Sequence, residues 1–357
     1  MRKEIPQNPE FVAGGGRFAI PSALVFALNN PGMLTRTLLY QPEYVEAARR
    51  GNFDHFFPPD WLTKIFNLFA RRKVEIPENM HFSTNTDFAK IDPKAIKYFF
   101  SAYGAQKTRM ILEKLKKSNP RAFADCLFLC GSKGIEIETR QLMHKVAGDV
   151  FPDLSEKIAV LVGPDIAKHV FEKKPVVGTI AGPLKVTAKF VKLLEGSPIL
   201  RPHESKEIYG LDLAGVVKNV HSIAFGIAIG LKLPSSTICG LMESALRELS
   251  RFAKAYGCDQ LEIWKGISGD YALACSGDTR NTKAGINLVK KGKLLENELT
   301  EGVHSLPIVL KLAREKNVKM PIIEMLAQIL EGNINIKKAV EQLTRFGRKA
   351  PNLNSGM

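Results

Sequence analysis

EFVAGGGRFAIPSALVFALN, residues 10–29, sets a short run of small and β-forming residues ahead of three glycines, then continues as an apolar helical run. Gly14, Gly16 and Ala19 stand in a G-x-G-x-x-A spacing, with Gly15 between the first two. In such a strand-to-helix turn one glycine permits the tight bend, the next lets the backbone approach an anion, and the alanine lets helix lie close on strand. The helix start that follows offers unpaired N–H groups to a diphosphate. A turn of this kind signifies a dinucleotide site when it opens an alternating α/β domain, so the flanking sequence decides its meaning.

Working outward, short β-rich runs occur at 10–13, 35–40, 80–83, 123–130, 158–162 and 176–180, with helical stretches such as 22–29, 107–117 and 184–194 between them. That alternation predicts crossover units on a mostly parallel, doubly wound sheet. Segment 94–103 reads as a poor strand. From about Glu204 the period changes. An apolar-periodic run reaches Gly230, and helical patterns follow at 235–256, 284–290, 306–316 and 321–330, separated by Gly, Pro or Asn. The expectation is an α/β N-terminal Rossmann-like doubly wound domain over 1–203, followed by an all-α C-terminal domain over 204–357. Gly226 and Gly230 form a G-x-x-x-G that reads as close helix packing.

Composition narrows the function classes. The chain has 357 residues, 45% of them hydrophobic and 24% charged, which excludes a disordered or fibrous bulk. Its 51 Lys and Arg against 36 Asp and Glu give a net +15, which favours anionic ligands. Zinc-finger, aromatic RNA-binding and helix-turn-helix patterns are missing, so no specific nucleic-acid role is expected. Apolar runs such as 20–28 and 223–231 fall short of the roughly 20 residues that span a bilayer, so no transmembrane segment is expected. Residues 1–10, MRKEIPQNPE, lack the apolar stretch of a secretory signal, and a cytoplasmic location is expected. Five scattered cysteines and seven histidines show no ligand spacing, so no metal is expected; His221 reads as a hydrogen-bonded core residue. One amphipathic stretch stands apart: Trp61, Leu62, Ile65, Phe66 and Phe69 share a helical face bordered by Lys64, Arg71, Arg72 and Lys73. It reads as a helix covering its own domain, or as a membrane-surface or partner-binding helix.

Three further segments carry chemistry. Lys133, in C-G-S-K-G-I, follows a β-run and so falls at the carboxyl edge of the sheet, where α/β ligands bind. Lys218 lies mid-helix among small apolar residues; a lysine there must snorkel, pair with a carboxylate or serve chemistry, and Asp270 is a candidate partner. Thr279, Arg280 and Asn281 gather a hydroxyl, a guanidinium fork and an amide at a helix start, which suits a phosphodianion.

The ordered set of G-x-G-x-x-A, S-K-G-I-E at 132–136, V-G-P-x-x-A-K at 162–168, V-V-K-N-V at 216–220, Gly269-Asp270, Arg280-Asn281, E-G-V at 301–303 and M-P-I at 320–322 closely resembles the NAD(P)-dependent sn-glycerol-3-phosphate dehydrogenase family. The resemblance covers nearly the whole chain. It implies a Rossmann domain and a helical domain with the site in the cleft between them, NAD or NADP as cofactor, a cytoplasmic enzyme, and a homodimer. It implies reversible reduction of dihydroxyacetone phosphate to sn-glycerol 3-phosphate for phospholipid synthesis. Lys218 falls on the catalytic lysine and Asp270 on its partner. Lys133, Asn219, Thr279, Arg280, Asn281 and Gly163 fall on the substrate side. Cofactor contacts fall on Gly14, Gly15, Gly16, Arg17, Phe18, Ala19, Lys133, Ala167, Arg280, Leu299 and Glu301.

Departures from the family pattern keep two other readings in view. Gly104-Ala105 replaces a Pro-Ser turn, Asp165 and Ala274 replace hydroxyl residues, Tyr40 stands where bacterial members carry an arginine, and 55–73 reads as an insertion. These changes motivate a same-fold dehydrogenase acting on another phosphorylated or phosphonate-like ketone, or a nucleotide-binding regulator without turnover.

Overall fold

The computed structural model describes residues 10–15, 18–53, 75–164, 167–294, 300–336 and 338. The chain parts into two compact units, Met1–Glu136 with Gln141–Ile208, and Ile137–Arg140 with Tyr209–Met357. In the first unit the order is β1 (Glu10–Gly15), α1 (Ala19–Asn29), β2 (Leu34–Leu39), α2 (Pro42–Arg49), β3 (Met80–Thr84), β4 (Ile96–Ala102), α3 (Ala105–Ser118), β5 (Leu127–Cys130), α4 (Met143–Val150), β6 (Ile158–Val162), α5 (Ala167–Phe171), β7 (Val176–Ala181), α6 (Leu184–Leu193) and β8 (Leu200–Ser205).

The eight strands form one sheet in the order β3-β2-β1-β4-β5-β6-β7-β8. Pairings from β3 through β6 are parallel, and only β6 with β7 runs antiparallel. Because β1 lies between β2 and β4, the strand order reverses at the glycine turn, the switch point at which doubly wound sheets bind ligands. All six residues of β1 are buried, as expected when helices cover both faces of a sheet.

Alternation along β4 shows the two faces. Phe100 joins the core on the α1 side, where Phe11 and Phe26 stack at 4.0 Å. Its neighbour Phe99 points to the opposite face, stacked on Phe128 at 5.4 Å and edge-on to Phe123 at 5.2 Å. Each fully buried phenylalanine contributes about 1.5–3 kcal/mol through apolar burial.

Three expectations need correction. Segment 94–103 contains a central strand, β4, paired with both β1 and β5; its aromatics are buried on both faces, so no alternating pattern marks it. The run expected over 123–130 begins as a helical turn, Pro120–Phe123, and only Leu127–Cys130 is strand. Strand β8, polar along much of its length, went unread and spans residue 203, and the chain passes from the first unit to the second between Ile208 and Tyr209.

The second unit is helical throughout its described residues: α7 (Ile208–Gly230), α8 (Ser235–Ala255), α9 (Gln260–Cys275), α10 (Arg280–Lys291), α11 (Glu301–Glu315) and α12 (Pro321–Leu330). Helix α7 is long and apolar enough to cross a membrane by length and composition, yet 89% of its apolar window is buried inside the protein. It is the core helix of this unit, and it encloses Asp212, Lys218, Asn219 and His221. Its G-x-x-x-G packs against α10. A Cβ on Gly226 would strike the Thr282 carbonyl, and one on Gly285 would strike the Ile223 carbonyl, so the two backbones meet where side chains are absent. The amphipathic stretch 61–73 lies outside the described residues.

Candidate active site

In the α/β unit, the carboxyl ends of β1, β2, β4, β5 and β6 carry the residues singled out on the cofactor side. Gly15 has φ +140°, and a Cβ there would lie 2.6 Å from the Ala102 carbonyl oxygen. A Cβ on Gly14 would run into the Tyr103 ring. Both glycines are therefore required by the close approach of β4, and Gly15 also by its backbone angle. Phe18 precedes α1 with no side-chain cap, and the first turn of α1, beginning at Ala19, contains no acid. The positive end of α1 is thus left to an anion. Phe18 also packs on Phe100, with ring centroids 5.8 Å apart. A glycine backbone and an uncapped helix start suit a dinucleotide diphosphate, and a lysine at the carboxyl edge of the same sheet adds a cation.

The lysine is Lys133, just past β5, whose Nζ donates to the Gly163 carbonyl at 3.0 Å. Gly163 has φ +141°, and a Cβ there would lie 2.8 Å from the Gly178 Cα, so packing of β6 on β7 also demands glycine. Ala167 opens the short helix α5. Gly16, Arg17, Asp165 and Leu299 lie outside the described residues.

Tyr103 is a feature that sequence reading passed over. It is buried beneath the glycine turn, its Oη donates to Asn85 Oδ1 at 3.2 Å, and Tyr40 at the end of β2 meets it edge-on at 5.9 Å. Burial raises the Tyr103 phenol well above its ordinary range and pushes Tyr40, 43% exposed, up to about 12. Both hydroxyls therefore stay protonated at neutral pH.

In the helical unit, α7 and α9 bring together the two residues expected to do the chemistry. Lys218 Nζ lies 3.1 Å from Asp270 Oδ1, and the side chains are only 6% and 3% exposed. An exposed pair such as Arg247–Glu243 contributes little, about 0–1 kcal/mol, whereas removing one member of a buried pair costs roughly 3–5 kcal/mol because a charge is left unmatched. Asp270 reaches α7 because Ile263, Gly266, Ile267, Asp270, Tyr271 and Ala274 form the buried stripe of α9.

The anion-binding candidates gather at the start of α10. Thr279 caps the helix, accepting from the Thr282 N–H at 3.1 Å, and Arg280 is exposed at the first helical position. Asn281 is buried, and its Oδ1 accepts the Gly302 N–H at 3.0 Å, leaving its amide N–H groups for another partner. Gly302 is closely opposed to the Asn219 carbonyl, where a Cβ would clash, so Asn219, Asn281 and the start of α11 at Glu301 converge. Thr282, which sequence reading missed, bonds Thr279 Oγ1 at 2.6 Å and the Ala274 carbonyl at 2.9 Å.

Comparison with known proteins identifies the family of the chain. Residues 68–187 match the family described as NAD-dependent glycerol-3-phosphate dehydrogenase N-terminus, and 207–341 match the corresponding C-terminus. The glycerol-3-phosphate dehydrogenase [NAD(P)+] of Solidesulfovibrio magneticus is 32% identical over 267 residues, covering 72% of this chain and 79% of the relative. That of Zymomonas mobilis is 31% identical over 295 residues, covering 80% and 79%. A crystal structure of glycerol-3-phosphate dehydrogenase from Coxiella burnetii shares the fold, with TM-score 0.79 and 23% identity over 95% of this chain and 99% of that one. The chain belongs to the NAD(P)-dependent glycerol-3-phosphate dehydrogenase family, oxidoreductases that use NAD or NADP.

Proposed function

We propose that this chain carries out its family's reaction, reversible NAD(P)H-dependent reduction of dihydroxyacetone phosphate to sn-glycerol 3-phosphate, with Lys218 and Asp270 as its catalytic pair. The observation that carries the assignment is the buried 3.1 Å contact between the two. The bound reduced nicotinamide supplies the hydride. Negative charge then develops on the ketone oxygen, and the Lys218 ammonium stabilises it more in the transition state than in the ground state. Lys218 Nζ passes a proton to that oxygen, completing the alcohol. Asp270 Oδ1 orients the ammonium and balances its charge where little water reaches it.

Arg280, Thr279, Asn281 and Asn219 take the phosphate, which lies away from the reacting carbon and so supplies binding energy for orientation. Gly14, Gly15, Phe18, Ala19, Lys133 and Ala167, with Gly16 and Arg17 between them in sequence, would hold the dinucleotide; the family resemblance assigns Leu299 and Glu301 to the cofactor as well. The product is the three-carbon phosphate on which phospholipid headgroups are built. A homodimer in the cytoplasm is the assembly and compartment that the family resemblance supports, and sedimentation of the purified chain tests the first.

The activity is tested by following reduced-nicotinamide absorbance with NADH or NADPH and a panel of phosphorylated ketones. Preference for dihydroxyacetone phosphate supports the assignment. Ala274, buried one turn beyond Asp270 and lacking a hydroxyl, favours a second reading, in which another phosphorylated or phosphonate-like ketone is preferred.

A further inference from the structure

Beside the Lys218–Asp270 pair, α7 and α9 are joined by a second buried link. His221 lies one turn after Lys218, and Tyr271 directly follows Asp270. Tyr271 Oη is 2.8 Å from His221 Nδ1, and His221 Nε2 is 3.0 Å from Glu248 Oε2 on α8. Glu248 Oε1 in turn accepts the Ile322 N–H at the start of α12. Tyr271 and His221 are fully buried and Glu248 is 1% exposed.

One arrangement of donors satisfies the whole chain of bonds. Burial, with the Glu248 and Asp270 carboxylates nearby, raises the Tyr271 phenol well above its usual range, so the hydroxyl keeps its proton; in this arrangement it donates to Nδ1. The imidazole then carries its proton on Nε2 and donates it to Glu248. Every polar group in the chain is satisfied, which makes such a buried network rigid. Four helices are thereby tied together next to the catalytic pair.

We propose that Tyr271 is a positioning residue for catalysis: held through His221 and Glu248, it sets the rotation of α9 against α7 and so keeps Asp270 Oδ1 on Lys218 Nζ. The proposal rests on the catalytic reading of Lys218 and Asp270. It distinguishes a phenol that acts through Asp270 from one that only stabilises the fold.

The test compares steady-state reduction of dihydroxyacetone phosphate by the full chain and its variants. Tyr271→Phe keeps the ring and removes the hydroxyl; kcat is expected to fall about tenfold with the substrate KM changed less than about twofold, since displacement of a catalytic group by a fraction of an ångström costs rate. In an Asp270→Asn background the same change is expected to cost nothing further, because residues acting through one contact are not additive. His221→Gln, whose amide can accept from Tyr271 and donate to Glu248, is expected to keep kcat within about twofold of the parent. A Tyr271→Phe protein with a lower melting temperature but unchanged kcat overturns the proposal, as do fully additive losses in the double variant or a tenfold loss in His221→Gln. Turnover that survives Lys218→Ala overturns the catalytic reading and this proposal with it; turnover lost there but intact in Tyr271→Phe overturns the proposal alone.

Discussion

The Gly302 N–H donates to Asn281 Oδ1 across 3.0 Å, tying the start of α11 to the start of α10 in a place closed to solvent. Asn281→Ala removes the acceptor and leaves a buried backbone N–H unmatched, a cost of about 1–3 kcal/mol. Thermal unfolding is expected to show a lower midpoint, and the substrate KM is expected to rise because Asn219 and Arg280 lose their shared support.

Arg280 is exposed at the first position of α10, so its removal disturbs little packing. Charge-assisted hydrogen bonds contribute about 1.5–3 kcal/mol, which corresponds to roughly a 10-fold to 100-fold rise in KM for the phosphorylated substrate in Arg280→Ala. A smaller effect on kcat is expected. Initial-rate measurements over a range of ketone concentrations separate the two constants.

Close contact of α7 with α10 makes Gly285 intolerant of even one methyl group. A Cβ there would collide with the Ile223 carbonyl and lie 2.8 Å from the Ile227 nitrogen, both backbone atoms of a helix buried almost throughout. Gly285→Ala is expected to destabilise by about 3 kcal/mol, the upper end for overpacking. Gly240, on α8 with open space around its Cα, is the matched control. Gly240→Ala is expected to be neutral or to stabilise by up to about 1 kcal/mol, since alanine is the better helix former. Denaturant unfolding of the two variants checks both signs.

Tyr40 directly follows β2, where dinucleotide folds often hold the adenosine ribose with an acid. A carboxylate at this position bonds the ribose hydroxyls and repels a 2′-phosphate. Tyr40→Asp is therefore expected to move the ratio of kcat/KM for NADH over NADPH upward by about tenfold, equivalent to 1.4 kcal/mol of discrimination. An unchanged ratio would place the adenosine elsewhere.

Much of the α/β unit is legible from local pattern, because Gly14 to Ala19, the β-rich run of β6 and the helical run of α6 each announce themselves within a dozen residues. What escaped reading depends on distant partners. Strand β4 carries Lys97 beside Tyr98 to Phe100, with Lys94 just ahead of it, and it becomes strand only because β1 and β5 flank it. Helix α9 was passed over because its buried stripe contains Gly266, Asp270 and Ala274 in place of large apolar residues. Its start was nonetheless marked: Asp259 caps the N–H groups of Leu261 and Glu262. The Lys218–Asp270 pair could be suggested because a lysine inside an apolar helix demands a carboxylate. The Tyr271–His221–Glu248 chain could not, since each residue type is ordinary in a helix and only the packing of α7, α8 and α9 joins them.

The most direct test of the account is the rate of NADH or NADPH oxidation by Lys218→Ala with dihydroxyacetone phosphate, measured beside cofactor binding by fluorescence. The account predicts loss of turnover, by about 100-fold or more as expected when a group stabilising transition-state charge is removed, while the dinucleotide still binds. Turnover within about tenfold of the parent protein, with the ketone reduced to the same product, would contradict it.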